Sequence, residues 1–174
     1  EAMFWDSGNH GSAKVGVNVT TNSTDFYVKG TQSIKLSSTS VGLPPLYEKF
    51  AAGNLFAGEY LYTDGTDGVL GFGRDFFSRP KALHGYVRYI SGKVDNGDKI
   101  AIGSQDQGII YVALSDKEKE TEPKTGKSYP YIIRTKSEEL FDPSDKNIIT
   151  YGEKVFMAST GGNGLIEFTI ELEY

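Results

Sequence analysis

Short stretches of alternating apolar and polar residues recur along this chain, and each predicts a half-buried β-strand. Residues 14–19 put Val15, Val17 and Val19 on one face, and residues 33–36 repeat the pattern after Gly30. After Arg79-Pro80, the run that begins at Ala82 sets His84, Tyr86 and Arg88 on one face and Leu83, Gly85, Val87 and Tyr89 on the other. The second face is the core side; the first predicts the polar floor of a groove. Residues 165–174 alternate Leu165, Glu167, Thr169 and Glu171 against Ile166, Phe168, Ile170 and Leu172, the last strand of the chain.

Other segments read by composition. Residues 109–114 are apolar on both faces and predict a central strand, the deepest of the fold. Residues 129–135 and 147–158 predict two more, with a short helical turn between them around Phe141-Asp142-Pro143-Ser144-Asp145. If residues 59–63 are extended, Tyr60 and Tyr62 share a face. Turn chemistry marks Asn22-Ser23-Thr24-Asp25, Asp64-Gly65-Thr66-Asp67-Gly68 and Asp95-Asn96-Gly97-Asp98. Two prolines make Leu43-Pro44-Pro45-Leu46 a loop, because each removes a ladder donor. Residues 116–128, rich in charge, predict a long solvated loop and the least ordered part of the chain. Nine to eleven strands without an internal repeat point to an all-β fold, a jelly-roll-like β-sandwich.

Composition agrees. With 174 residues the chain predicts one domain over 1–174, and 21 Gly with 13% aromatics favour strands and tight turns over helices. A net charge of -5, with 18 Lys+Arg scattered among 23 acids, excludes a phosphate backbone as partner, so no nucleic acid is expected. Without Cys there is neither a disulfide framework nor a thiolate metal site. No apolar run approaches the ~20 residues of a membrane helix, and the sequence as given opens without a secretion signal.

One stretch, Gly71 to Ile90, carries a resemblance. Phe72-Gly73, Phe76-Phe77, Arg79-Pro80 and Ala82-Leu83-His84-Gly85-Tyr86-Val87-Arg88-Tyr89 resemble the signature of the putative carbohydrate metabolism domain, a family of surface-associated proteins in Gram-negative gut bacteria. Trp5-Asp6-Ser7-Gly8-Asn9, Gly30 with Ser33-Ile34-Lys35-Leu36, Ala52-Gly53-Asn54-Leu55-Phe56-Ala57-Gly58, Phe141-Asp142-Pro143 and Ile149-Thr150-Tyr151-Gly152-Glu153 follow the family's pattern in order. The resemblance implies a sandwich similar to galactose-binding-like carbohydrate modules, in a secreted or outer-membrane surface protein that works beside neighbouring domains or surface proteins of a glycan-uptake system. In that family the segment resembling residues 168–174 is followed by two further strands with acidic residues. The present sequence does not supply them, so the expected domain is either short or a fragment of a longer chain, and no role of those acids carries over.

The chemistry to look for is therefore weighed between binding and catalysis. Glycoside hydrolysis needs two carboxylates facing each other across a groove. Asp64, Asp67 and Asp75 lie in loops where carboxylates cap turns, and Glu167 and Glu171 lie on a solvated strand face. With only His10 and His84, there is no imidazole cluster for a metal. Asp95, Asn96 and Asp98 or Asp64 and Asp67 leave a structural calcium open, but neither run has the spacing of a full calcium loop, so no metal is claimed and no other cofactor is expected. Sugar binding instead asks for an aromatic face to stack on a pyranose and planar groups to bond paired hydroxyls. Trp5 is either such a platform or a plug in the sandwich end. Arg74 on its loop, His84, Tyr86 and Arg88 on their strand face, and Tyr62 and Tyr131 as further aromatics complete the expected ligand-binding set. Arg79 is expected to bond backbone carbonyls, with Phe76, Phe77 and Pro80 anchoring its loop. The expected function is a non-catalytic carbohydrate-binding module; a structural or adhesion domain without a sugar site is the alternative, and a glycoside-active enzyme the least favoured.

Overall fold

The structure, a computed structural model, describes residues 3–43, 47–95 and 100–174. Its strands are β1 (Trp5–Asp6), β2 (Thr20–Ser23), β3 (Ser33–Leu36), β4 (Thr39–Leu43), β5 (Tyr47–Ala51), β6 (Phe56–Asp64), β7 (Asp67–Phe72), β8 (Ala82–Val87), β9 (Gly108–Ser115), β10 (Glu120–Thr121), β11 (Ser128–Tyr129), β12 (Tyr131–Arg134), β13 (Ile148–Phe156) and β14 (Ile166–Glu171). Strand takes 45% of the described residues and helix 6%, which makes the chain all-β. The proline loop at residues 44–46 and most of the Asp95-Asn96-Gly97-Asp98 turn lie outside the described residues.

The chain divides into two compact units. The first is Glu1–Asn22, Ile34–Phe77 and Lys117–Asp142; the second is Ser23–Ser33, Ser78–Asp116 and Pro143–Tyr174. The stretch from Gly71 to Ile90 is thus shared between them, residues 71–77 in the first and 78–90 in the second.

The first unit is built on an antiparallel sheet in the order β1-β6-β7-β12. Strands β6 and β7 form a hairpin whose turn holds Gly65 at φ 67°, the positive φ that a two-residue hairpin loop assigns to glycine. A register shift between Tyr60 and Tyr62 breaks the alternation of β6. Tyr60 stacks on His10 while Leu61 and Tyr62 pack on the cluster of Val69, Tyr129 and Ile132, so the shared face expected of the two tyrosines does not form. Glycines make room at the centre. A Cβ on Gly71 would fall inside the Tyr129 ring, and one on Gly58, at φ 152°, would overlap the Gly71 carbonyl. The depth of this unit lies on β12, where Tyr131, Ile132 and Ile133 are all buried.

Two expectations fail here for readable reasons. The strand predicted over residues 14–19 is replaced by a short helix α1 (Asn9–Ser12) and a 3-10 turn (Ala13–Val15). The Gly8 carbonyl accepts from the amides of Gly11 and Ser12, Gly16 reverses the chain at φ 80°, and of the three valines only Val19 is fully buried. The predicted loop 116–128 contains a hairpin, β10 with β11, turning through Gly126 at φ 70°. What the charge pattern concealed is that one of its acids, Glu122, is buried and ion-paired.

In the second unit β9 pairs with β13 and β8 with β14, all antiparallel. The alternation predicted for β8 is present: Leu83, Gly85 and Val87 are half-buried and His84 and Tyr86 exposed. Gly85 leaves space for the Phe168 ring opposite it, and Gly152 on β13 lies against Ile170 and the Glu171 carbonyl. Strand β9 is not the deepest element expected of residues 109–114. Its described partner is β13 alone, and Ile109 stays 55% exposed, because the apolar residues of one of its faces meet solvent.

Candidate functional site

In the first unit three of the glycine-bearing segments interlock. Asp6 accepts from the amides of Ser7 (2.7 Å) and Tyr60 (2.8 Å), and the Asn54 side chain accepts from the Gly8 amide (2.7 Å). Asn9 exchanges two hydrogen bonds with the Thr20 backbone, and the Thr20 hydroxyl donates to the Asn54 carbonyl. The Gly73 amide donates to the Ala57 carbonyl. Buried polar backbone must be satisfied, and these asparagines and the aspartate do that work for the turn that follows β1. Trp5, by contrast, is left 53% exposed on the edge of the sheet, opposite Ala57. The Phe4 ring stands edge-on to it at 4.9 Å. Of the two readings of Trp5, the buried plug is therefore not what the fold makes of it.

Arg74 reaches the same edge. Its Nε donates to the Phe4 carbonyl (3.2 Å), and one terminal nitrogen donates to the carbonyls of Met3 (2.6 Å) and Gly58. The carbonyl-binding role expected of Arg79 is thus filled by Arg74. The Arg79 guanidinium instead lies 5.4 Å over the Tyr174 ring. Nor do Phe76 and Phe77 anchor the loop, since Phe77 is 94% exposed.

Two residues along β6 from Ala57, Glu59 pairs with Lys127 and accepts from the Tyr129 hydroxyl (2.6 Å), with the Arg74 guanidinium 5.9 Å over the Tyr129 ring. Burial works to raise the Glu59 pKa, but the bonds from Lys127 and Tyr129 and the charge of Arg74 outweigh it and hold the carboxyl below its usual range. Burial, reinforced by Glu59, pushes Tyr129 up to about 12. Neither Glu59 nor Lys127 carries a signal in the sequence that sets it apart from other surface charges.

The other two expected aromatics of this unit, Tyr62 and Tyr131, are engaged in packing. Tyr62 donates to Glu122 (3.1 Å) and carries the Lys124 ammonium 4.0 Å over its ring. Tyr131 is buried, edge-on to Phe141 at 5.3 Å and covered by Lys117 at 4.4 Å. Glu122 also receives Arg134 at 2.6 Å and the Lys124 amide. Its pKa is raised by burial but lowered more by these donors, Arg134 foremost, so it stays ionised.

The second unit holds the other expected residues, with His84 and Tyr86 on the open face of β8. His84 bonds Glu167 across the β8–β14 ladder and meets Tyr86 edge-on at 5.5 Å; Thr169 lies opposite His84 in the register. Arg88, just past β8, lies 4.6 Å over the Phe26 ring. Beside this face Asp106 clasps a loop, accepting from Tyr89 (2.9 Å), Ser91 (2.6 Å) and the Gly92 amide (2.6 Å). The Ser91 bond first, then Tyr89 and Gly92, hold its carboxyl low against the opposing effect of burial.

These shifts fix a pH profile. Glu59, Glu122 and Asp106 have depressed pKa values, so their stabilisation is complete above the ordinary carboxylate range and is lost as pH falls through the depressed values. Tyr129 and Tyr151, both raised to about 12, stabilise below the ordinary phenol range and cease to do so as pH climbs through about 12. Urea unfolding midpoints are expected to form a plateau from about pH 5 to about pH 9 and to fall on both sides. A midpoint rising steadily below pH 4 would contradict the carboxylate assignments.

The loop acids weighed for paired-carboxylate catalysis each hold an ion pair. Asp64 pairs with Lys136, Asp67 with Lys49 and Asp75 with Lys119, each carboxylate held by its own lysine. Among the described residues no group of three or more His, Asp or Glu side chains converges as a metal site would require, and no helix is long and apolar enough to cross a membrane.

Fold and surface together define an all-β chain that carries exposed aromatic side chains and paired polar groups. Residues 1–174, the whole chain, match the family described as putative carbohydrate metabolism domain, and the chain belongs to that family. No curated protein and no solved structure matches it.

Proposed function

We propose that this chain is a non-catalytic carbohydrate-binding module of a secreted or cell-surface bacterial protein, holding a glycan for neighbouring proteins of a glycan-uptake system, with Trp5 as its sugar platform. The carrying observation is Trp5 itself, more than half exposed on an edge strand and braced by Phe4. An indole so placed offers its face to the C–H side of a pyranose, at little entropic expense because its strand is already fixed. Glu59 and Lys127 supply a carboxylate and an ammonium near the same strand for sugar hydroxyls. The His84, Tyr86 and Arg88 face of β8 is a second hydrogen-bonding surface of the same chemical kind, and Arg74, Tyr62 and Tyr131 support from within the fold. A jelly-roll-like β-sandwich similar to galactose-binding-like modules is the finer architecture of this reading, supported by the alternation of β8 and β14.

Titration calorimetry against a broad glycan panel tests it. One glycan class is expected to bind, and Trp5→Ala is expected to weaken that binding at least about 30-fold, the loss typical of an aromatic hot spot. Absence of binding to every member of the panel would sink the reading. A structural or adhesion role is then favoured by Phe76 and Phe77, whose exposure suits packing against a neighbouring domain.

A further inference from the structure

We propose that Arg74 is a positioning residue for Trp5, a clamp that keeps the platform ordered before any sugar arrives and does not itself contact the sugar. The inference rests on the reading of Trp5 as the platform. Strand β1 is two residues long and, among the described residues, pairs with β6 alone, and so short an edge has few ladder bonds to hold it. On its C-terminal side it is tied down by Asp6, which accepts from the Tyr60 amide, and by the Gly8 amide on Asn54. On its N-terminal side the one backbone bond among the described residues runs from the Gly58 amide to the Phe4 carbonyl at 3.2 Å.

Arg74 completes that side. It grips the carbonyls of Met3 and Phe4, the two residues that lead into Trp5, and the Gly58 carbonyl of the neighbouring strand, so one rigid guanidinium fixes the start of β1 against β6. The same grip holds the Phe4 ring at the edge of Trp5. Arg74 is in turn steadied by the charge of Glu59 and by the Tyr129 ring beneath it. Without the guanidinium, residues 3–5 must be ordered at the moment of binding, and ordering a few backbone residues and two aromatic side chains then subtracts from affinity.

Trp5 is the only tryptophan, so its fluorescence reports this position alone. Acrylamide quenching and fluorescence anisotropy of Trp5 are measured in the wild type, Arg74→Met and Arg74→Lys, each confirmed as folded by its circular dichroism and melting curve. Arg74→Met is expected to increase quenching and lower anisotropy well below its melting temperature, and to weaken binding of the panel's glycan about tenfold through faster dissociation. Arg74→Lys, which keeps the charge and can still reach a carbonyl, is expected to fall between the two. Unchanged quenching and anisotropy in folded Arg74→Met would overturn the proposal. So would a loss of affinity as severe as that of Trp5→Ala with Trp5 still immobile, because Arg74 would then be touching the sugar. Should no glycan bind the wild type, the platform reading fails, while the two fluorescence measurements still decide whether Arg74 orders β1. If Arg74→Met does not fold, the same comparison is made between Arg74→Lys and the wild type, with the same two outcomes.

Discussion

Gly71→Ala is expected to destabilise the first unit by about 3 kcal/mol or more, at the upper end of overpacking effects. Its methyl would occupy the space of the Tyr129 ring, which is buried against Val69 and Ile132. The ring has no easy retreat, because its hydroxyl is bonded to Glu59 at 2.6 Å and its strand is paired with β10. Rotating it away would strand the Glu59 carboxylate as well as open the cluster. Gly164→Ala is the matched control: nothing lies within reach of its added methyl and its φ is not positive, so a change within about 0.5 kcal/mol is expected. Denaturant unfolding of the two variants measures the difference directly. Equal stability of the two would mean that Tyr129 does not occupy the space above Gly71.

The second large effect is expected at Glu122. Its side chain is 5% exposed and accepts from Arg134, Tyr62 and the Lys124 amide. Glu122→Gln keeps the shape but removes the charge and turns an amide nitrogen toward groups that are themselves donors. Breaking one partner out of a buried pair leaves the other uncompensated. Arg134 is 32% exposed and keeps Glu139 at 2.9 Å, so the loss is set lower than for a fully buried pair, at about 2 kcal/mol. The pH dependence has a definite sign. The Glu122 pKa is depressed in the folded state, so the advantage of the wild type over Glu122→Gln is complete above the ordinary carboxylate range and closes as pH falls through the depressed value. Urea melts of both proteins at neutral and acid pH check this, and a gap that widens in acid would refute it.

What the sequence made legible was what has a local cause. The two faces of β8 could be read because a strand's side chains alternate whatever it packs against, and the β6–β7 turn because Gly65 supplies the positive φ that the hairpin needs. The short helix at Asn9–Ser12 was hidden by the valine alternation that follows it, where only Val19 turned out to be buried. Glu122 was hidden by its company: in a run of charges nothing marks the one acid that an arginine twelve residues on will draw inward. That Arg74 rather than Arg79 bonds the backbone carbonyls has a similar origin. Which carbonyls need a donor depends on where β1 ends against β6, and that is fixed by pairing between residues about fifty apart in the chain.

The same reasoning separates the candidate site residues. Tyr131 and Tyr62 read from sequence as further aromatics for a ligand, but the first is buried and the second is bound to Glu122. Trp5 read as either platform or plug because indoles serve both ends, and its position on a two-residue edge strand decides for exposure. Phe4, Glu59 and Lys127 gained their place only from the sheet that gathers them.

Trp5 also offers the most direct test of sugar binding. A single tryptophan gives a single indole N–H resonance, which can be followed in nitrogen-15 correlation spectra while oligosaccharides are titrated in. The expected result is that one glycan class moves this resonance saturably, together with the backbone amides around residues 4–6 and 57–59. An indole resonance that stays fixed across the panel, whether or not resonances elsewhere respond, would contradict a sugar platform at Trp5.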